Sequence, residues 1–538
     1  MADGQILFSP MWGHETYLIN STGVVNHEWT SDYLPGVAVS WLGGGEIIRA
    51  IKVGPGPNVG GLGGGVQIQQ ADGTVVWDYR YNTNGHFSHH DIKVLPNGNV
   101  LLIAWETKTQ AEAIAAGRNP DHVSAFGMMP DHIVEVKPTG PTSGEIVWEW
   151  HVWDHLIQDY DASKQNYGVV GDHLELVDVN YVTSVWQGDW MHTNTVDYNP
   201  NLDQILLSVP NFNEIWIIDH STTTLEAAGH TGGRYGHGGD LLYRWGNPAV
   251  YRTGTTDDQK LFYQHGVSWI EEGLPGAGDI LIFNNGDDRP TGQYSTVDEI
   301  TPPINENGEY YLEPGSAYGP LTQTWVYTAT PPTSFYAGHL SGAQRLANGD
   351  TLICNGETGL FFEVTSNGLT VWQYENPFPY PSMNELFKIL YIPNNHEPKQ
   401  PDLDCTGRLT WTRVKPGQIA TGSFTVQNIG DAGSSLNWTI NASLLTWGSW
   451  TFVPQSGENL TPEGGSITVQ VSVVAPEENH GNFQGYLRVE NLEDSSDFDT
   501  IPVSLTTQLA LGQGLHDWTP FPLLHWLLAR FLPHLFYH

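Results

Sequence analysis

Four stretches of the chain open with histidine, run through apolar residues, turn on Gly, Pro, Asn or Asp, and return as a second apolar run. They are HDIKVLPNGNVLLI from His90, HTNTVDYNPNLDQILLS from His192, HGVSWIEEGLPGAGDILIF from His265 and HLSGAQRLANGDTLIC from His339. An imidazole titrates near ~6.5, so its neighbours decide whether it is nucleophile, acid or base at neutral pH. Equivalent positions in a cyclic repeat point at a common axis, which predicts that the four rings converge. Two chemistries use such a cluster. In one, a neutral imidazole attacks an electrophilic centre while imidazolium and amide donors hold anionic oxygens. In the other, four neutral imidazoles bind a transition metal and leave positions open for oxygen.

The elements that must carry these histidines show a second repeat. GVVNHEW (23–29), GTVVWDY (73–79), GEIVWEW (144–150), GDLLYRW (239–245), LTQTWVY (321–327) and GLTVWQY (368–374) each read as a strand ending in aromatic residues. Most are followed by a histidine-led strand pair. The first leads instead to GVAVSWLGGGEIIRA (36–50), and the sixth to NELFKILYIP (384–393). Six such units predict an all-β fold headed by a six-bladed β-propeller over 1–395, its last blade closed by the N-terminal strands QILFSPM and ETYLIN. A sandwich array and a solenoid are the competing architectures. The polar insertions 107–132, 151–190, 219–238 and 246–262 read as loops over one end of the ring.

Past the linker NNHEPKQPDLD (394–404), short alternating strands over 405–507 predict an immunoglobulin-like β-sandwich. The tail 510–538 contains HDWTPFPLLHWLLARFLPHLFYH and is apolar but broken by His525, Arg530 and Pro533. It reads as an amphipathic segment that docks a partner or another copy, and it is too interrupted to span a bilayer. With 59 acidic against 21 basic residues and a net charge of −38, the chain excludes nucleic acid and anionic membrane as partners. Cys354 and Cys405 are its two cysteines and read first as buried thiols, with pairing the alternative. The start MADGQILFSP lacks the basic and apolar regions of a signal peptide and reads as a mature secreted or surface domain. Sequons at Asn20, Asn437, Asn441 and Asn459 are compatible with that.

The segments HHDIKVLPNGNVLL, DWMHTNTVDYNP, LYRWGNP and QHGVSWIEEGLPGAGDILIFNNGDDRP, with YSTVDEI after them, resemble bacterial aryl-sulfate sulfotransferases from about residue 20 to 395. The resemblance implies a six-bladed propeller that needs no nucleotide cofactor and no metal. It would move a sulfuryl group from an aryl sulfate to a phenol by a ping-pong route. His265 is the implied nucleophile, forming a sulfohistidine. His192 and His90, with His89 as the alternative to His90, would bind sulfuryl oxygens and protonate the departing phenolate. Asn194 matches the family's His-x-Asn pattern as a substrate-binding residue. Family members carry a sulfate-binding Arg in the next strand, where Pro210 and Asn211 stand here. That leaves His339 and Arg289 to supply the missing positive charge. Arg244 lies in an outer-strand motif and reads as structural. A four-His metal site of oxygenase type and a non-catalytic surface or assembly scaffold are the other two readings.

Overall fold

The aromatic residues that end the six outer motifs tie the fold together. In the computed structural model, which describes residues 2–508 apart from 84, 395–400, 431–432 and 495–496, one tryptophan of each motif donates its indole N–H to the next sheet. Trp29 bonds Gly45 O (3.2 Å), Trp77 bonds Ser143 O (3.0 Å) and Trp148 bonds Thr222 Oγ1 (3.1 Å). Trp245 bonds Pro320 O (2.8 Å), Trp325 bonds Ser366 O (2.7 Å) and Trp372 returns to Ser21 O (2.8 Å). The sixth bond closes a cycle.

These bonds link six four-stranded antiparallel sheets, five of them with strands in chain order. The second begins with Pro35–Gly43, the third with His86–Val94, the fourth with Thr195–Asn199, the fifth with His265–Trp269 and the sixth with Gly342–Arg345. The first is completed from the far end of its unit: Leu390–Pro393 pairs antiparallel with Gly4–Phe8, with Ile6 opposite Tyr391. Six apolar cores lie between neighbouring sheets, one for each adjacent pair. Both faces of a middle strand are therefore buried. Within Ile280–Asn284, Ile280 and Ile282 pack with the fourth sheet while Leu281 and Phe283 pack with the sixth. This is why such strands read as unbroken apolar runs, each side chain contributing about 2 kcal/mol by burial. The arrangement fits a β-propeller.

Leading strands of successive sheets are neighbours. Val196 N bonds Asp91 Oδ2 (3.3 Å), Gly266 N bonds Thr195 Oγ1 (3.0 Å) and Tyr391 N bonds Gln344 Oε1 (2.8 Å). A Cβ on Gly266 would lie 2.6 Å from Gly342 Cα, so this residue lets the fifth and sixth sheets meet without a side chain between them.

The chain divides into two compact units, Met1–Pro398 and Lys399–His538. The second unit holds a four-stranded and a five-stranded sheet around a shared core that includes Phe424, Val469, Trp438 and Val489, an arrangement that fits a β-sandwich. Cys354 and Cys405 are free thiols. The tail 510–538 lies outside the described residues. Among the described residues no helix is long and apolar enough to cross a membrane.

Candidate active site

His265 opens its leading strand and His90 lies within His86–Val94, both at a break in strand pairing, while His192 and His339 precede Thr195–Asn199 and Gly342–Arg345. The register slips between Ser88 and Ile92 and between His265 and Ser268. The backbone turns left-handed at the two slips, with His90 at φ 53° and Gly266 at φ 55°, and just ahead of the other two strands, with His192 at φ 57° and Ser341 at φ 84°. His90 and His192 thus occupy the left-handed position itself, whereas His265 stands one residue before it. His339 precedes two left-handed residues, Leu340 and Ser341. The expectation of four equivalent slots therefore gives way to staggered ones. The slip adds residues on one strand only, which sequence alignment of the repeats does not register. Non-glycine residues in this conformation cost about 1–3 kcal/mol and are held by their surroundings. His90 is held by its N–H bond to Gly61 O (2.7 Å). Gly61 (φ 75°) lies so close that a Cβ there would come 2.0 Å from the His90 ring.

His265 is buried, at 2% exposure. Its Nδ1 faces two oxygens, Asn285 Oδ1 (2.9 Å) and Tyr263 O (3.2 Å). The Asn285 amide is oriented by donating to the carbonyls of Ala337 (2.9 Å) and Leu340 (3.0 Å), so its oxygen must accept. Nδ1 therefore carries the proton, and Nε2 keeps the lone pair. Burial, opposed by the Asn285 hydrogen bond and reinforced by His192 and His339, brings the pKa down to about 3. The ring is neutral throughout the physiological range, with one nitrogen ready to attack.

His192 is the opposite case. Its Nδ1 lies 2.5 Å from Asp189 Oδ2, and Asp189 Oδ1 accepts the indole N–H of Trp105 (3.0 Å). Burial works against charge on the ring. The Asp189 carboxylate and its hydrogen bond, with Asp131 behind, outweigh burial and raise the pKa above the ordinary value. His192 is thus the ring of the group most readily protonated.

The His90 ring meets the His192 ring edge-on at 4.6 Å, and its Nδ1 lies 2.8 Å from His89 Nδ1. His89 stacks on Trp105 at 3.8 Å and gives its Nε2 proton to Asp131 Oδ1 (3.2 Å). A neutral His89 then accepts at Nδ1, so His90 donates there and keeps its own lone pair on Nε2. Burial, then His192, His89 and His265, hold the His90 pKa well below the imidazole value. The sequence reading gave His90 to the sulfuryl oxygens, and the structure places its ring beside His192 and His89.

The other candidates surround this group at varying remove. Asn194 is fully buried and bonds Gln264 O (2.9 Å), holding the main chain next to His265. His339 is 57% exposed and paired with Glu357, whose hydrogen bond leads in raising its pKa. Arg289 lies between the rings of Phe262 (4.9 Å) and Tyr294 (4.5 Å) and reaches Thr296 Oγ1 (3.4 Å). Asn211 bonds the carbonyls of Asp189 and Trp190 (both 3.2 Å), bracing the segment ahead of His192. Arg244 is buried against Glu214, a structural pair.

Sequence reasoning missed Asp189, Asn285 and Tyr263. Asp189 and Asn285 stand inside the DWMHTN and NNGDD motifs and carry hydrogen-bonding groups, the one signal that pointed to them. Tyr263 (φ 58°) lies between His192 (6.1 Å, 20°) and His265 (5.9 Å, 61°). With Phe262, Asn211, Asp287 and Asp288 it lines a cavity of about 420 Å³.

Residues 70–391, more than half the chain, match the family model described as "Arylsulfotransferase (ASST)". No curated protein matches the chain. Among solved structures, a protein of unknown function from Bacteroides caccae is 13% identical over 73% of this chain and 99% of its own, with a TM-score of 0.40. The hydrazine synthase of Kuenenia stuttgartiensis is 12% identical over 55% of this chain and 66% of its own, with a TM-score of 0.31. Likenesses this distant carry no weight for the site.

Proposed function

The chain belongs to the arylsulfotransferase family, and from that premise we propose that it moves a sulfuryl group from an aryl sulfate to a phenolic acceptor through His265. The family implies small-molecule substrates. The six sheets are read as the blades of a six-bladed propeller over 1–395, and the second unit as an immunoglobulin-like sandwich over 405–507. The protein would work outside the cytoplasm without a nucleotide cofactor, and the tail 510–538 would dock a partner or another copy.

His265 Nε2 attacks sulfur, the S–O bond to the aryl group breaks, and the leaving phenolate takes its proton from the His192 imidazolium. His192 also holds a sulfuryl oxygen, supplying the positive charge that Pro210 and Asn211 do not. The acceptor phenol then gives its proton to His90 Nε2. Its oxygen attacks sulfur, the N–S bond breaks, and His265 is regenerated neutral. Passage of the proton from His90 to His192, whose rings are 4.6 Å apart, resets the site. The aryl group would lie in the cavity beside Tyr263.

The observation that carries this reading is the contrast between two buried imidazoles, His265 with Nδ1 on the Asn285 amide oxygen (2.9 Å) and His192 with Nδ1 on the Asp189 carboxylate (2.5 Å). Incubation with p-nitrophenyl sulfate in the absence of acceptor, followed by peptide mass spectrometry, tests it. A sulfuryl adduct on the peptide containing His265 is expected. An adduct on another residue, or none alongside measurable transfer, would sink the assignment.

A further inference from the structure

A second group of imidazoles meets a carboxylate away from the leading strands. His155 follows the last strand of the third sheet, Ser143–His151, and is buried. His230 and Asp240 come from GHTGGRYGHGGD, the Gly/His-rich insertion ahead of Tyr243–Trp245. The Nδ1 atoms of His155 and His230 lie 2.7 and 2.8 Å from the same oxygen, Asp240 Oδ1. One ligand atom from each of the three residues falls within 4.8 Å of the other two.

The protonation of His155 can be read from its other nitrogen. Nε2 lies 2.8 Å from the carbonyl of Ala227, an oxygen that only accepts, so Nε2 carries a proton. Nδ1 of the same ring faces a carboxylate oxygen at 2.7 Å. Two electron-rich atoms at that separation require a shared proton or a cation between them. Imidazoles that ligate metals have this outer bond, giving their second N–H to a main-chain carbonyl, which fixes ring and tautomer. The ring is also held by Trp150, parallel to it at 5.8 Å, whose indole bonds Gly239 O (2.7 Å) beside Asp240.

We propose that His155 Nδ1, His230 Nδ1 and Asp240 bind a divalent transition cation of the zinc type. Two imidazoles and one carboxylate suit such an ion and offer too few oxygens for calcium or magnesium. His230 and Asp240 line a cavity of about 750 Å³ together with His237, Tyr235, Tyr310 and Tyr318. The remaining coordination positions open toward this cavity, so the ion is reachable by solvent and by a small anionic or phenolic ligand. The site accounts for His230 and Asp240 in an insertion that the proposed transfer reaction does not use.

The full chain, stripped with a chelator and dialysed, is titrated with zinc chloride against a chromophoric competitor at pH 7.5. One equivalent bound at micromolar affinity or tighter is expected. His230→Ala and Asp240→Asn should each weaken it at least about tenfold, with unchanged circular dichroism. His230 is largely exposed, so its truncation leaves the fold intact. His265→Ala should bind as the unaltered chain does, which separates this site from the leading-strand histidines. No binding by ~10 μM zinc, or binding that survives either substitution undiminished, overturns the proposal.

Discussion

The two histidine groups use one side chain in opposite ways, and the choice is made by which nitrogen a fixed acceptor claims. At the leading strands, Asn285 takes the Nδ1 proton of His265 and Asp189 takes that of His192. Each Nε2 is left for chemistry, in a ring whose pKa is lowered at His265 and raised at His192. At the outer group, a main-chain carbonyl claims Nε2 of His155 and leaves Nδ1 beside a carboxylate. On the proposed reading the first arrangement makes a nucleophile and an acid, the second a ligand. Histidine content alone does not separate them; the second neighbour of each ring does.

Removing His265 breaks this comparison most severely. His265→Ala should lower transfer from p-nitrophenyl sulfate to a second phenol by at least ~10³-fold, since it removes the nitrogen proposed to bond sulfur. Zinc binding should stay unchanged. Steady-state rates of both half-reactions check the first claim, and rescue of the rate by added imidazole would sharpen it.

Changing the acceptor should come next in size. Asp189→Asn removes the carboxylate that raises the His192 pKa. A group with a raised pKa is protonated below that value and loses its proton as pH rises through it. The donor half-reaction needs that proton, so its rate falls on the alkaline side of the His192 pKa. In the Asp189→Asn variant the fall should begin at lower pH, and the rate at pH 7.5 should drop about 10²-fold. A pH profile of the burst of nitrophenolate reads both. An unmoved alkaline limb would show that His192 is not the acid.

How much of this was readable in the chain depended on repetition. The outer aromatic motifs were legible because six copies answer the same demand, a tryptophan bonded to the next sheet. The leading-strand histidines were legible as a set, but their stagger was not, because a pairing slip alters φ and register without altering residue type. Asp189, Asn285 and Tyr263 each occur once and act through contacts with a ring 3 to 71 positions away, which no periodic signal encodes. Arg289 looked like a spare cation in NNGDDRP, yet two aromatic faces engage it. The outer group joins His155 to His230 and Asp240, far along the chain, and only the tertiary fold brings them together.

Gly61→Ala offers a smaller perturbation confined to the first group. The added Cβ would meet the His90 ring and oppose a left-handed backbone, so His90 must swing away from His192. Displacing one catalytic group by about 1 Å costs on the order of 10²-fold or less. Because His90 is placed in the acceptor step, transfer to the phenol should slow by roughly tenfold while the nitrophenolate burst is nearly kept. Equal loss in both steps would return His90 to the donor role first expected of it.

The smallest effect separates both sites from the frame that carries them. Trp372 closes the cycle of indole bonds by donating to Ser21 O (2.8 Å). Trp372→Phe keeps an aromatic ring between the sixth and first sheets but removes the donor, which costs about 1 kcal/mol and leaves a carbonyl for water to satisfy. Thermal unfolding should shift by a few degrees or less, with no change in the pH profile or in zinc affinity. The same change at Trp77, which is 3% exposed, should cost more, because Ser143 O would lose its partner where water reaches it less easily. The difference between the two variants measures how far the tie depends on burial, whereas His265 and His192 are both buried and differ through the acceptor each Nδ1 meets.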